Sequence, residues 1–124
     1  MSILNKMLRG RAPAVVNIED VFSAYTYTGN GSDSRNLPAT ALGFDPEIAH
    51  IKGSLGQEAV FKVESLAGDA ALQYGTVAAV ADRIQSLAGT TGQFQVGTDA
   101  ETNNNTSAYY WFAAKEYSQF DVIP

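Results

Sequence analysis

The chain of 124 residues has no cysteine and a single histidine, and these two absences narrow the chemistry available to it. Without cysteine, neither a disulfide framework nor a thiolate metal site can form. A catalytic zinc needs three protein ligands, so one histidine, His50, comes close to excluding zinc catalysis. No nucleophile or paired carboxylate is recognisable beside His50, and we expect it to be an ordinary strand residue.

Charged side chains and long apolar runs are also scarce. Charged residues make up 17% of the chain, against the ~25% that is typical of soluble domains. A surface this neutral suits a subunit that loses much of its exterior to partners. No run approaches the ~18 apolar residues of a membrane span, and the first residues lack the apolar stretch of a secretory signal. We therefore expect no membrane partner.

The charges that are present divide the chain into a basic start and an acidic remainder. Residues 1–18 carry three basic residues and no acid, which gives +3; the remainder has 5 basic and 13 acidic residues, which gives −8, for a total of −5. An acidic body repels phosphate backbones, so we expect no nucleic-acid binding. We predict an N-terminal arm at 1–18 and one β-sandwich domain at 19–124.

The arm has apolar residues at helical spacing between its basic ones. It could bind an acidic protein surface, or it could be a frayed terminus, and the residues leave both readings open. The arm residues that we predict to bind a partner are Ile3, Leu4, Lys6, Met7, Leu8, Arg9 and Arg11.

About seven β-forming runs with turn residues between them predict an all-β, antiparallel β-sandwich. For the run 59–64, the face of Ala59, Phe61 and Val63 is the better core candidate. The run 107–115 is apolar on both faces, which predicts a central strand that is covered on both faces. The segment 92–116 predicts a β hairpin, and 77–88 is helical or extended, with a strand favoured for 83–87. The remaining runs are 21–28, 47–52, 94–96 and the short, ambiguous 70–74.

One polar loop has the alternating acids and amides of a calcium site. Asp99, Glu101, Asn103 and Asn105 alternate, but an EF-hand loop needs glycine at its sixth position and a bidentate acid at its twelfth. Asn104 and Tyr110 occupy those positions, so we predict a solvated loop and no metal. No phosphate-binding glycine pattern occurs either. We expect no cofactor and no enzymatic activity.

Tyrosine and tryptophan are enriched at interface hot spots. Aromatic residues of the first and last predicted strands could stack on a sugar or a partner protein, or could form the sheet core. The aromatic side chains that we predict as surface contacts are Tyr25, Tyr27, Tyr109 and Trp111.

Six short motifs follow one another along the chain. They are 27–31 (Tyr-Thr-Gly-Asn-Gly), 42–48 (Leu-Gly-Phe-Asp-Pro-Glu-Ile), 83–87 (Arg-Ile-Gln-Ser-Leu), 94–98 (Phe-Gln-Val-Gly-Thr), Asn103, and 110–113 (Tyr-Trp-Phe-Ala). Their order resembles small virion modules of tailed bacteriophages, over roughly residues 25–116. The resemblance implies a β-sandwich and a non-enzymatic structural role in the particle.

Within this resemblance, the basic arm and the absence of a collagen-like or coiled-coil shaft favour a capsid decoration protein. Such a protein would bind the major capsid protein lattice and would reside in the virion after assembly in the host cytoplasm. Analogy with decoration proteins implies a homotrimer. The alternative is a carbohydrate-binding adhesion module of a tail or fibre.

Overall fold

The computed structural model describes residues 17–75 and 77–115. A 3₁₀ turn at Ile18–Asp20 precedes the first strand. The elements that follow are β1 (Phe22–Thr28), β2 (Arg35–Leu37), β3 (Ile48–Gly53), β4 (Val60–Val63), β5 (Ala70–Gln73), β6 (Val80–Ala81), β7 (Ile84–Thr90), β8 (Gln93–Val96), α1 (Ala100–Asn103) and β9 (Ala108–Ala114).

The strands form two antiparallel sheets, which confirms the predicted all-β sandwich. The large sheet has six strands in the order β1-β9-β3-β4-β5-β6, and the small sheet has three in the order β2-β8-β7. The strands predicted at 21–28, 47–52, 83–87 and 94–96 are all present. The run 70–74, whose sequence fits either a helix or a strand, contains β5. The predicted arm at 1–18 lies outside the described residues except for its last two positions.

The core lies between the two sheets and consists mainly of aromatic and branched aliphatic side chains. Ile51 and Trp111 point inward from the large sheet, and Phe94 meets them from the small one. The rings of Phe94 and Trp111 pack edge to face with 5.3 Å between centroids. Complete burial of an aliphatic or aromatic side chain of this size contributes about 1.5–3 kcal/mol. The core cluster comprises Leu37, Ala49, Ile51, Val60, Ala71, Ile84, Leu87, Phe94, Val96, Tyr109, Trp111 and Ala113.

The prediction that Ala59, Phe61 and Val63 form the core side of β4 is wrong. Val60 and Lys62 point into the sandwich, with exposed fractions of 0% and 3%, whereas Phe61 is half-buried on the opposite face. The Lys62 ammonium is accommodated because it donates hydrogen bonds to three backbone carbonyls. The acceptors are the oxygens of Leu66, Gly68 and Ala70, at 3.0, 3.0 and 2.6 Å. A paired cation can thus occupy a position that the apolar pattern assigns to solvent.

The hairpin predicted at 92–116 is also wrong, because its two strands belong to different sheets. Strand β8 lies at the centre of the small sheet, while β9 lies between β1 and β3 in the large one. The connection between them carries α1, whose first turn is capped by the Asp99 carboxylate accepting from the Glu101 amide at 2.7 Å. The central position predicted for β9 is confirmed, but the prediction that both of its faces are covered is wrong, because Tyr110 on its outer face is 57% exposed.

Candidate interaction surfaces

The outer face of the large sheet carries a row of aromatic rings. Cross-strand register places Phe112 of β9 beside His50 of β3, and His50 beside Phe61 of β4. The His50 imidazole stacks on the Phe112 ring at 4.8 Å between centroids and 10° between planes. Phe22 stacks on the other side of Phe112 at 5.8 Å. Tyr74 completes the row against Phe61 at 5.1 Å.

These rings remain open to solvent within the described part of the chain. Phe22, Tyr74 and Tyr110 are exposed to 39%, 60% and 57%, and the other rings of the row are half-buried. A contiguous apolar patch that no described element covers is typical of an interaction site. We call this surface the outer aromatic face and define it by Phe22, His50, Phe61, Tyr74, Tyr110 and Phe112.

His50 is the one titratable group of this row near neutral pH. Partial burial lowers the pKa of its imidazole from the usual 6.5, because desolvation disfavours the charged form. The imidazole stacks on the Phe112 ring and makes a tilted contact with the Tyr74 ring, at 5.7 Å between centroids. His50 therefore contributes a mostly neutral, flat ring to the face at pH 7.

A second surface is a groove of about 560 Å³ between β1 and the loop that follows β2. Tyr25 and Tyr27 line its β1 side, and Pro38 and Leu42 line its loop side. Tyr25 is 73% exposed, the largest exposed fraction among the aromatic side chains of the described residues. The groove combines an exposed ring, an apolar wall and the Arg35 guanidinium.

Tyr27 forms the inner end of this groove and is anchored from both sides. Its hydroxyl donates to the Thr102 carbonyl at 2.6 Å, its ring stacks on Tyr109 at 5.1 Å, and the Arg35 guanidinium lies 5.3 Å from the ring centroid. Burial raises the pKa of the Tyr27 hydroxyl far above its usual value, with a further contribution from Tyr109 and an opposing one from Arg35. Tyr27 is thus a neutral structural anchor and not an acid or base at physiological pH.

Asn103 fastens the loops beside the groove. Its side-chain amide donates to the carbonyls of Ser32 and Gly97 at 2.7 and 3.0 Å. Its Oδ1 accepts from the Asn30 amide and from the Arg35 guanidinium at 2.9 and 3.1 Å. The side chain is completely buried, so these four bonds satisfy its hydrogen-bonding capacity. The prediction of a solvated loop is wrong at this position, because the Asn103 side chain is buried and hydrogen-bonded to the backbone of neighbouring loops.

Gly29, in the aromatic-Thr-Gly-Asn-Gly motif, allows two backbones to approach closely. Its amide donates to the Ser107 carbonyl at 2.7 Å. A Cβ atom at this position would lie 2.1 Å from the Asn104 carbonyl oxygen and 2.9 Å from the Tyr109 ring. The motif therefore has a packing role in joining the end of β1 to the start of β9.

The described residues contain no group of three or more histidine, cysteine, aspartate or glutamate side chains able to hold a metal ion. Two members of the calcium-like loop are instead used for structure, since Asp99 caps α1 and Asn103 binds backbone groups. No helix in the described ranges is long and apolar enough to cross a bilayer.

The predicted site residues separate into three groups. Tyr25 lies at the surface and Tyr27 is half-buried at the groove. The prediction of surface contact is wrong for Tyr109 and Trp111, which are 0% and 4% exposed because their strand position faces the core. The predicted partner-binding residues of the arm lie outside the described residues. They are Ile3, Leu4, Lys6, Met7, Leu8, Arg9 and Arg11.

The amino-acid sequence does not display the outer aromatic face as a unit. Its members lie on four different strands or strand ends, so no single run displays them together. Alternation within each strand assigns Phe112 and Trp111 to opposite faces of β9, and Phe61 and Val60 to opposite faces of β4. No protein-family model matches the chain, and neither the curated proteins nor the solved structures contain a match to it.

Proposed function

We propose that this chain is a non-enzymatic virion structural protein of a tailed bacteriophage, namely a capsid decoration protein that binds the major capsid protein lattice. The observation that carries the proposal is the outer aromatic face, which the described residues leave uncovered. Aromatic clusters of this kind serve as interface anchors because they bury a large area with little side-chain entropy to lose. The order of the sequence motifs supports the assignment to a phage particle.

The outer aromatic face has the composition of a docking surface for a folded protein. Phe22, His50 and Phe112 form a continuous stack across three strands, and a rigid sheet holds them in place before binding. Such preorganisation lowers the entropic cost of association. The rings of this face carry no charge at pH 7, so the desolvation penalty of docking is limited to charged neighbours such as Lys52, which pairs with Tyr110 in the sheet register. The face therefore fits an apolar surface on a lattice subunit better than a small polar substrate.

Co-sedimentation with capsids of the phage that encodes the chain tests this proposal. The informative pair is Tyr110→Glu on the outer aromatic face and Leu55→Glu in the turn after β3, because both positions are well exposed, at 57% and 72%. Each variant adds one negative charge and removes one apolar side chain. We expect Tyr110→Glu to abolish binding to intact particles or empty shells and Leu55→Glu to leave it unchanged. Absence of capsid binding by the unmodified protein would refute the proposal.

The basic arm provides a second contact in this proposal, with Lys6, Arg9 and Arg11 pairing acidic groups of the lattice. Deletion of residues 2–12 should leave a folded domain with strongly reduced capsid occupancy. Circular dichroism establishes that the domain is folded, and co-sedimentation measures its occupancy. Full occupancy after the deletion would remove the arm from the binding site while leaving the role of the outer aromatic face intact.

The groove beside β1 favours a second candidate, a carbohydrate-binding adhesion module of a tail or fibre. An exposed tyrosine at the side of a groove, here Tyr25, can stack on a sugar ring. This function would give binding to a glycan array that Tyr25→Ala abolishes and Tyr110→Ala does not. Capsid binding without glycan binding would exclude it.

A further inference from the structure

The two sheets have four edges, and three of them are protected against pairing with another chain. The β6 edge has two residues, Val80–Ala81. The β2 edge has three, Arg35–Leu37, and ends at a proline. Strand β7 shows register shifts along its pairing with β8. Short strands, prolines and irregularities are the usual devices that prevent edge-to-edge association.

Strand β1 forms the fourth edge and lacks each of these devices. It runs for seven residues, Phe22–Thr28, pairs regularly with β9 along its full length, and contains no proline and no charged residue. Its sequence, Phe-Ser-Ala-Tyr-Thr-Tyr-Thr, is rich in residues that favour strands. Five of its seven residues are exposed. An open, uncharged edge of this length is a template for a further strand.

Register determines which backbone groups of β1 are available. The Gly29 amide donates to Ser107, and the Lys115 amide donates to Val21. These bonds, with Tyr25 opposite Trp111, direct the backbone groups of odd-numbered β1 residues toward β9. The amides and carbonyls of the even-numbered residues therefore point away from the sheet, where no described strand pairs with them. The Thr28 carbonyl already accepts from Arg35 at 2.8 Å and retains a second lone pair.

We propose that the free edge of β1 pairs with β1 of a second copy of this chain, antiparallel and centred on Tyr25. Two identical antiparallel edges are self-complementary, because each supplies the donors that the other accepts. Centring on the middle residue overlaps all seven positions. Ala24 then exchanges hydrogen bonds with the partner's Thr26, and Thr26 with the partner's Ala24. The two large sheets become one twelve-stranded sheet, and the two-fold symmetry of this pairing gives a dimer in place of the homotrimer expected by analogy with decoration proteins.

The groove explains why Tyr25 suits the centre of this interface. Tyr25 points to the groove side of β1 and is 73% exposed in the single chain. In the centred register it lies opposite the partner's Tyr25 at a non-hydrogen-bonded position, where side chains come closest. Both rings would then be buried beside the apolar loop containing Pro38 and Leu42. The pairing thus covers the most exposed aromatic side chain of the described residues.

The absence of cysteine from the chain permits a clean crosslinking test. At a non-hydrogen-bonded antiparallel pair the Cα atoms are about 4.5 Å apart, which is within the range that a disulfide spans. Under mild oxidation of the full-length protein, Tyr25→Cys should give a covalent dimer on a non-reducing gel. Ser23→Cys, which opposes the partner's Tyr27 in this register, and Leu55→Cys in a distant turn should not.

A second variant tests the hydrogen bonds without any crosslink. Ala24→Pro removes one outward amide, and the bonds to β9 remain because odd-numbered residues make them. We expect it to raise the dimer dissociation constant about tenfold or more, since two hydrogen bonds are lost per dimer. Ala24→Val keeps the amide and should dimerise like the unmodified chain. Analytical ultracentrifugation over a range of concentrations measures both constants.

A purified chain that stays monomeric at its highest soluble concentration, with no Tyr25→Cys dimer, would overturn the proposal. That result would mean that the edge is covered by other residues of the same chain or reserved for a different protein. Equal crosslinking of Tyr25→Cys and Leu55→Cys would also overturn it, because random collision explains equal yields. If Ala24→Pro fails to fold, the crosslinking comparison decides alone. Neither result depends on capsid binding, so this inference and the proposed function can fail separately.

Discussion

The two faces of the large sheet differ in what covers them. Tyr109 and Trp111 on the inner face are 0% and 4% exposed, whereas Tyr110, between them on the same strand, is 57% exposed. The inner face packs against the small sheet, and the outer face has no cover among the described residues. Both faces are nevertheless rich in aromatic side chains. Aromatic content alone therefore does not separate core from interaction surface in this fold.

The inner face combines large rings with small residues, while the outer face places large rings side by side. On the inner face, Ala49 and Ala113 are opposite each other and leave room for the small sheet. On the outer face, His50 and Phe112 occupy the neighbouring cross-strand pair and stack directly. A packed core needs alternating sizes so that layers interdigitate. A flat row of rings instead provides a continuous surface for another molecule.

Truncation of adjacent rings on the two faces should lower the stability by very different amounts. Trp111→Ala should lower the free energy of unfolding by about 3–5 kcal/mol, because it leaves a cavity against Phe94. Phe112→Ala should cost about 1 kcal/mol, mainly the lost stacking with Phe22 and His50. Urea denaturation of the two variants measures both values. Equal losses of unfolding free energy would contradict the difference between the faces, since they would place both faces in a packed interior.

A smaller effect is expected from the two lysines that lie on opposite faces. Lys62→Met keeps the apolar stem on the inner face but leaves three carbonyls without their donor, and should cost about 2 kcal/mol. Lys52→Met on the outer face also removes donors to carbonyls, those of Gly53 and Leu55. Because Lys52 is exposed, water replaces it, and the cost should be below about 0.5 kcal/mol.

Thermal or urea unfolding of the two lysine variants gives the comparison directly. A stabilising Lys62→Met would show that the cost of desolvating the ammonium exceeds the value of its hydrogen bonds. The Lys62 pKa is lowered by burial and raised again by the charge of Asp69, so both contributions are present at this position. That result would mean that the inner face is stabilised by apolar burial alone, with no net contribution from the Lys62 hydrogen bonds.

The difference between the faces also explains what could be predicted from the sequence. Alternation identified the strands, because a residue period of two is visible within each run. It could not decide which face of β4 is inside, since Phe61 and Val63 are the more apolar pair and Lys62 finds its carbonyls only after folding. It could not assign β8 and β9 to separate sheets, because strand partners are set by long-range packing. The outer aromatic face was invisible for the same reason, as its rings come together only through cross-strand register.

The titration of His50 should make a small contribution to the pH dependence of the unfolding free energy. The size of this contribution reports how strongly the imidazole on the outer face is desolvated. The pKa of His50 in the folded chain lies below its usual 6.5. As the pH falls from 6.5 toward the folded-state pKa, the unfolded chain binds more protons than the folded one, so the free energy of unfolding decreases. Above pH 6.5 His50 contributes no pH dependence, and below the folded-state pKa the loss is complete.

The variant His50→Gln removes this titration and keeps a neutral, polar side chain at the same position. Carboxylates titrate in both proteins, so the difference between the two curves of unfolding free energy against pH isolates the contribution of His50. We expect the curves to diverge below pH 6.5 and to run parallel above it. Capsid docking would bury the imidazole further, so binding of the unmodified chain should weaken over the same acidic range while that of His50→Gln should not. Parallel stability curves throughout would mean that the imidazole is as well hydrated as a free histidine, and the outer face would then lack the desolvated stack on which its proposed role depends.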